Sequence, residues 1–192
     1  MASLSPRKSS IEELCVKHGG EQAHATHVAG LALSLFDATA ELLGVPAVDR
    51  PLLGAACQLH EIGYGVNLRR HALAGYEIVR AAGLAGFTAS ERNDIAAAVF
   101  LHPARTAAAD RRLDRRLRAL PRARRLAAYL RVADGLDTNR SGRVKEVKMK
   151  NERAAWELDL SGESDLLLEK WTADKRKNLF CELFGVTLEI KS

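Results

Sequence analysis

The residues of this sequence that are best suited to chemistry are histidines and acidic residues spread over several predicted helices. Imidazole and carboxylate mixtures suit divalent transition metals, and imidazoles on separate helices can build a metal site inside a bundle. His24 and His27 are three residues apart, so they share one helix face. The pattern therefore predicts a metal site in a helical core. The candidate residues are His24, His27, His60, Glu61, His71, His102 and Asp134.

Each of these residues alone also has a purely structural explanation. A histidine before a proline at a helix end, as His102 is, often caps that helix. His60 and Glu61 can form a surface pair, and Asp134 can pair with a nearby arginine. An aspartate in an apolar helix needs a cation or hydrogen bonds, because an unpaired buried charge is costly. The order of these residues along successive helices is more specific than any one of them.

The elements that carry these residues are mostly helical by hydrophobic periodicity. From Gln22 to Leu43 apolar residues recur at intervals of three and four, and Gly44 and Pro46 end this helix. Residues 1–141 are therefore predicted to form an all-helical domain. Its further helices are expected at residues 11–17, 52–62, 70–81, 88–102 and 122–136, with an arginine-rich helix or loop before the last.

After Ser141 the pattern changes to that of strands. Trp156, Leu158 and Leu160 alternate with acidic residues, which is typical of a half-buried strand. Residues 142–192 are therefore predicted to form a small antiparallel β-sheet with one helix, so the fold class is mainly α with an α+β tail. The strands are expected near residues 144–149, 156–160 and 186–190, with another at 165–170, and the helix at 172–184.

The composition is that of one ordinary globular chain of 192 residues. With 47% hydrophobic and 28% charged residues, the chain is neither disordered nor collagen-like. No apolar stretch reaches ~18 residues, which excludes a membrane-spanning helix. The three cysteines are scattered without a CxxC pair, and no apolar run follows the basic residues near the N-terminus. We therefore expect a cytoplasmic protein without disulfides.

The ordered histidines and acidic residues resemble the HD superfamily of metal-dependent phosphohydrolases, whose pattern is a histidine, a His-Asp doublet and a distant aspartate. More closely, the chain resembles the C-terminal HD-like domain of the exopolyphosphatase/guanosine pentaphosphate phosphatase (Ppx/GppA) family. The resemblance implies an HD-type helical bundle over residues 1–141 with the tail packed on it. The matching stretches are HATHVAGLALSLFD (24–37), LHEIGYGVN (59–67), RH (70–71) with GYEIV (75–79), GFT (86–88) with IAAAVFLH (95–102), and RVADGLD (131–137).

This resemblance implies that one or two divalent ions (Mn, Fe, Co, Ni, Zn or Mg) activate a water that attacks a phosphate group. A bound metal lowers the pKa of water and polarises a phosphoryl oxygen. His60 and Glu61 would be the catalytic doublet, with glutamate in place of the superfamily's usual aspartate. The implied ligands are His27, His60, Glu61 and Asp134 for a first metal, and His71 and His102 for a second.

Arginines near these ligands in sequence can supply forked hydrogen bonds to phosphate oxygens. The candidates are Arg69, Arg70, Arg105 and Arg140. A phosphate-containing small molecule or polyphosphate is therefore the expected substrate.

A second feature is a run of positive charge. Ten arginines lie from Arg105 to Arg131 against two aspartates, so this segment carries about +8, whereas the whole chain carries +5. Such a field attracts polyanions such as nucleic acid, polyphosphate or an anionic membrane surface. A solvated helix pair whose arginine stems cover apolar surface explains the run equally well. The candidate polyanion patch is Arg111, Arg112, Arg115, Arg116 and Arg118.

Two classes of function remain open at this point. The first is a stand-alone metal-dependent phosphohydrolase that acts on a phosphate ester or phosphoanhydride of a nucleotide or polyphosphate-like substrate. The second is a non-catalytic module that binds polyphosphate, a nucleotide or nucleic acid. The family's whole enzymes carry an actin-like phosphotransfer module ahead of this domain, whereas these 192 residues hold no glycine-rich phosphate loop. A homodimer, or docking to a separate actin-like subunit, is therefore also expected.

Overall fold

A computed structural model describes residues 5–19, 21–104, 107–152, 155–162 and 165–192 of the protein. Up to residue 135 these ranges hold α1 (Pro6–His18), α2 (Gln22–Thr39), α3 (Arg50–Leu59), α4 (His71–Ala81), α5 (Ala89–Leu101), α6 (Arg111–Leu117) and α7 (Pro121–Gly135). The tail holds β1 (Val144–Glu152), β2 (Ala155–Gly162), α8 (Leu167–Arg176), α9 (Asn178–Phe184) and β3 (Thr187–Lys191). The predicted fold class, mainly α with a small sheet in the tail, is confirmed. Within the described ranges, no helix is both long and apolar enough to cross a membrane.

Local sequence explains where several helices begin and end. The Thr88 hydroxyl accepts a hydrogen bond from Glu91 N while the Glu91 carboxylate accepts one from Thr88 N, a capping box that starts α5. Pro51 and Pro121 lie in the first turns of α3 and α7, where the missing N–H would have no helical partner. Gly185 ends α9 in the left-handed conformation at a φ of 65°.

The core is centred on α7, which is buried continuously from Leu126 onward. Helices α2, α3, α5, α8 and α9 all pack against it. Helix α5 adds the buried run 95–101. Since both helices are enclosed, Asp134 in α7 and His102 after α5 are buried with them. Polar side chains at such positions need partners.

The sheet in the tail has the strand order β1–β2–β3. Strands β1 and β2 pair antiparallel, with Val147 opposite Leu160. Strand β3 pairs parallel to β2, with Leu188 opposite Trp156, so the prediction of a wholly antiparallel sheet is wrong. The reason is the connection: α8 and α9 lie between β2 and β3, and such a helical crossover returns the chain in the same direction.

The strand predicted at residues 165–170 is also wrong, because most of this segment is the start of α8. Asp165 Oδ1 accepts a hydrogen bond from Leu167 N at 3.0 Å where the helix begins. Glu169, Thr172 and Ala173 are the buried residues of α8, and their spacing of three and four is helical. The single helix predicted over residues 172–184 is two helices, α8 and α9, separated at residue 177.

Candidate metal centre

A cavity of about 190 Å³ lies where the ends of three helices meet α2 and α7. Five of the six predicted ligands lie together at this point: four line the cavity, and the fifth, His60, is buried next to Asp134. The turn after α3 supplies His60 and Glu61, α4 begins with His71, His102 follows α5, and α7 contributes Asp134. His24 of α2 also lines the cavity, as do Tyr64, Arg140 and Arg176.

Two glycines allow these helix ends to approach closely. A Cβ at Gly63 would lie 2.1 Å from the carbonyl oxygen of His71 and 2.5 Å from Gly75 N. A Cβ at Gly75 would lie 2.9 Å from Val99 Cγ1 in α5. A side chain at either position would therefore push α4 away from the turn after α3 or from α5, and the two glycines explain how His71 reaches the cavity.

His24, His60 and Asp134 form the tightest cluster of possible metal ligands among the described residues. One ligand atom from each lies within 4.8 Å of the others, and all three side chains are buried. Asp134 Oδ1 is 3.6 Å from His24 Nε2 and 3.9 Å from His60 Nε2. These three atoms can converge on one ion.

The rings of three histidines are held in place by a hydrogen bond from the nitrogen that faces away from the cluster. In each, Nδ1 donates to the backbone carbonyl three residues earlier, which leaves the Nε2 lone pair of the neutral ring available. Metal-binding histidines are oriented in this way in proteins. The pairs are His60 with Cys57 at 2.7 Å, His71 with Leu68 at 3.3 Å, and His102 with Val99 at 2.6 Å.

A carboxylate orients His24 in the same manner. Asp137 Oδ2 accepts from His24 Nδ1 at 2.7 Å, and Asp137 Oδ1 accepts from Gly142 N at 2.8 Å. Burial lowers the pKa of His24, but the nearby carboxylates of Asp134 and Asp137 outweigh burial and raise the pKa to about 9. A metal at Nε2 would therefore replace a proton. Sequence reasoning missed Asp137 as a site residue, although it lies in the RVADGLD stretch.

Neutral imidazoles fill the other end of the cluster. His71 Nε2 and His102 Nε2 are 3.4 Å apart, and two lone pairs at this distance need a proton or a cation between them. Burial, together with the charge of His60, lowers the pKa of His102 to about 3. Burial also lowers the pKa of His60, whose Nε2 is buried without a hydrogen-bond partner in the part of the chain that the structure describes.

Asp134 is held as an anion in the middle of these groups. Burial by itself would raise its pKa, but the nearby His24, His60 and Arg176 hold the pKa well below its usual range. Oδ2 contacts Arg176 Nη1, whereas Oδ1 faces the two histidines. Arg176 thus leaves one carboxylate oxygen directed at the possible metal position.

Glu61 lies between His24 and Arg140. Its Oε1 is 3.9 Å from His24 Nε2 and accepts a hydrogen bond from Arg140 Nη2 at 2.6 Å. Burial raises the pKa of Glu61, and the charges of His24 and Arg140 oppose that effect. Arg140 has a φ of 58°, a left-handed conformation that is uncommon outside glycine. Its guanidinium lies 5.5 Å from the centre of the Tyr64 ring, so it is held at the wall of the cavity.

The structure does not bring His27, the sixth predicted ligand, into the cluster. Its Nε2 donates to the carbonyl oxygen of Val144 in β1 at 2.7 Å, and its Nδ1 lies 3.2 Å from Asp137 Oδ2. His24 takes the position expected for it. Residues three apart share a broad helix face but point about 60° apart around the axis, so only one of the two enters the cavity. The His27 side chain is 24% exposed and that of His24 is 2% exposed.

The arginines predicted to bind phosphate are placed differently from one another. Arg140 lines the cavity. Arg69 and Arg70 border a neighbouring cavity of about 80 Å³, where Arg70 forms an ion pair with Asp110. Arg105 lies outside the described residues. Arg176 of α8 lines the cavity, and sequence reasoning missed it because 42 residues separate it from Asp134.

The arginine-rich segment divides into paired and exposed residues. Arg125 and Arg122 bind the buried Asp49, Arg122 also pairs with Asp94, and Arg124 pairs with Glu182. Much of the predicted charge is therefore neutralised by acidic residues from elsewhere in the chain. In the patch itself, Arg118 pairs with Asp114 at 2.8 Å. The four residues that are exposed and show no ion pair with the described chain are Arg111, Arg112, Arg115 and Arg116.

The comparison with protein families gives a match over most of the chain. The family model described as Ppx/GppA phosphatase, domain III, matches residues 7–176. The matched range begins in α1 and ends at Arg176, and it includes all of the cavity residues named above.

Proposed function

Because the chain belongs to the Ppx/GppA phosphatase domain III family, we propose that it is an HD-type metal-dependent phosphohydrolase that removes a phosphate group from an ester or anhydride. The observation that carries this proposal is the common orientation of four histidines. Each has its Nδ1 bonded to a carbonyl or carboxylate and its Nε2 near Asp134 or another histidine of the cluster. A structural histidine has no need of this arrangement, whereas a metal ligand does.

The residues present fit one or two divalent ions. His60 Nε2 is buried and has no hydrogen-bond partner among the described residues, which is costly unless a cation binds there. His24, His60 and Asp134 would hold a first ion, with Glu61 beside them. His71 and His102 would hold a second ion through their facing Nε2 atoms. When bound, such ions lower the pKa of water and polarise a phosphoryl oxygen.

The chain's own groups prepare the cavity for this chemistry. Asp134 is kept ionised by its histidine and arginine neighbours. Glu61 lines the cavity and adds a second carboxylate, whereas the fully buried His60 serves as a ligand. Arg140 is held at the wall and can meet a phosphate oxygen.

The size of the cavity limits what can enter. At about 190 Å³, the cavity is smaller than the roughly 300–1,000 Å³ of pockets that enclose a whole drug-sized ligand. It suits the phosphate end of a substrate better than a whole nucleotide. We therefore propose that the substrate inserts a terminal phosphate and leaves the rest of the molecule outside.

Metal content and turnover test this function together. Protein purified in the presence of Mn²⁺ should hold one or two ions per chain by elemental mass spectrometry. It should release phosphate from some member of a panel of nucleotides, pyrophosphate and polyphosphate with Mn²⁺, Co²⁺ or Mg²⁺. Protein that takes up no metal and releases no phosphate from the panel would contradict the proposal.

A second candidate function is polyanion binding by α6. It is favoured by the four arginines that stay exposed while their neighbours are paired with carboxylates. A cluster of unpaired guanidinium groups suits polyphosphate or nucleic acid. Polyanion binding by α6 does not need the metal centre. A variant that lacks the metal-binding residues should therefore still bind polyanions.

A further inference from the structure

Arg176 enters the cavity from the tail of the chain. It is the last residue of α8, and its Nη1 contacts Asp134 Oδ2 in α7. Its Nε and Nη2 make no hydrogen bond to any described residue. The side chain is 26% exposed and lines the cavity, so these two nitrogens remain available to a ligand.

Arg140, the other arginine of the cavity wall, already binds two carboxylates. Its Nη1 contacts Glu21 and its Nη2 donates to Glu61. Arg70, in the neighbouring cavity, uses both Nε and Nη2 on Asp110. Of these three, Arg176 therefore has the most donors left for an anion.

The position of Arg176 depends on a close contact between two helices. A Cβ at Gly135 would lie 2.7 Å from Ala173 Cα and 2.9 Å from Ala173 N, so only glycine lets α8 pack this closely on α7. This contact lies one residue after Asp134 and three residues before Arg176. The ion pair with Asp134 then fixes the guanidinium in advance, which lowers the entropic cost of binding a ligand.

The charges around the cavity decide when an anion can enter. Asp134 and Glu61 offset the positive charges of Arg176 and Arg140. A phosphate therefore meets stronger attraction when a divalent ion is bound than when it is absent. Phosphate binding should consequently depend on the metal.

We propose that Arg176 binds an oxygen of the terminal phosphate through Nε and Nη2, while Nη1 remains on Asp134. The tail of the chain thereby supplies a substrate-binding residue to a metal site built by the helical region. This inference rests on the proposed function, because it needs the metal to draw the phosphate into the cavity.

The test is titration calorimetry with inorganic phosphate on protein saturated with Mn²⁺. Arg176→Gln should lower phosphate affinity about 10- to 100-fold. This is the change in affinity expected from the loss of one hydrogen bond to a charged group. Arg176→Lys, which keeps the charge and loses the fork, should fall between that variant and the wild type. Lys175→Gln is the matched control, because it removes a positive charge from the adjacent position, where Lys175 lies over the exposed Trp171 ring. Its phosphate affinity should stay within about twofold of wild type.

The outcomes separate this inference from the proposed function. Wild-type phosphate affinity in Mn²⁺-loaded Arg176→Gln would overturn the role of Arg176 and leave the metal site intact. Failure of Arg176→Gln to take up Mn²⁺ would also overturn it, since Arg176 would then serve the metal rather than the phosphate. Wild-type protein that binds no Mn²⁺ would contradict the proposed function itself, and the phosphate role with it.

Discussion

His71 Nε2 and His102 Nε2 face each other at 3.4 Å, although the other nitrogen of each ring is bonded to a backbone carbonyl. This juxtaposition of lone pairs marks the expected position of a second ion. His71→Gln removes one imidazole of the pair and leaves His24, His60 and Asp134 untouched. We expect Mn²⁺ content to fall from about two ions to one per chain, measured by elemental mass spectrometry. Two ions retained in the variant would exclude the pair as ligands.

His24 and His27 offer a matched pair of substitutions on one helix. His24→Gln removes a nitrogen of the central cluster, so the dissociation constant for Mn²⁺ should rise about 100-fold or more. His27→Gln removes the hydrogen bond to Val144 and should raise it less than about tenfold, through Asp137 alone. Titration calorimetry with Mn²⁺ measures both. If His27→Gln raised the dissociation constant for Mn²⁺ more than His24→Gln did, His27 and not His24 would be the ligand.

Glu61 tests whether the second carboxylate takes part in turnover. Glu61→Gln keeps the shape of the side chain and removes its charge, so phosphate release should fall about 100-fold or more. Glu61→Asp restores the usual doublet of the HD superfamily and should retain metal. Binding of polyphosphate by α6 should stay unchanged in both variants. Equal turnover in wild type and Glu61→Gln would show that Glu61 has no part in turnover. Its role would then be limited to the ion pair with Arg140.

Gly135→Ala tests the close contact between α7 and α8. The added Cβ overlaps the backbone at Ala173, so unfolding free energy should fall by about 1–3 kcal/mol. The control is Gly30→Ala in α2, where a Cβ meets nothing within 4 Å. That substitution should stabilise the protein by about 0.5–1 kcal/mol, because alanine favours the helix. Urea denaturation followed by circular dichroism compares the two. A stable Gly135→Ala variant would show that α8 can move aside at little cost.

The exposed arginines of α6 are tested by salt dependence. Changing Arg111, Arg112, Arg115 and Arg116 to serine should abolish retention on heparin or polyphosphate, because these side chains have no ion pair with the described chain. On duplex DNA, the slope of log affinity against log salt should become shallower by roughly 0.9 for each arginine that contacts a phosphate. Arg118→Ser, whose arginine is already paired with Asp114, should change retention much less. Full retention by the fourfold variant would assign the arginines to an ordinary solvated surface.

Much of the site was predictable because its chemistry is local in sequence. His60, Glu61, His71, His102 and Asp134 could be selected from residue type and order. The structure places four of them on the wall of one cavity and His60 next to Asp134, with 3.9 Å between His60 Nε2 and Asp134 Oδ1. The helices that carry them follow from hydrophobic periodicity and from caps such as the Thr88–Glu91 box. In the tail, the same reasoning failed at residues 165–170, where consecutive leucines mask a helical spacing of buried residues.

Features that depend on contacts between segments distant in sequence were decided only by the tertiary structure. His24 and His27 are equivalent by spacing, and only the packing of α2 against α7 and β1 selects His24 for the cavity. Arg176 reaches Asp134 because Gly135 permits α8 to lie close to α7. The parallel pairing of β3 has the same origin, since the α8–α9 crossover sets the direction of the last strand.

The sequence by itself determined a helical chain with a small β-containing tail and an ordered set of metal-binding residue types. Only the tertiary structure decided which rings face the cavity and which arginines pair with carboxylates. The physical reason is that helix periodicity and residue chemistry act over a few neighbours. Side-chain orientation and charge pairing depend on contacts such as Arg176 with Asp134 and Arg125 with Asp49, which join residues 42 and 76 positions apart.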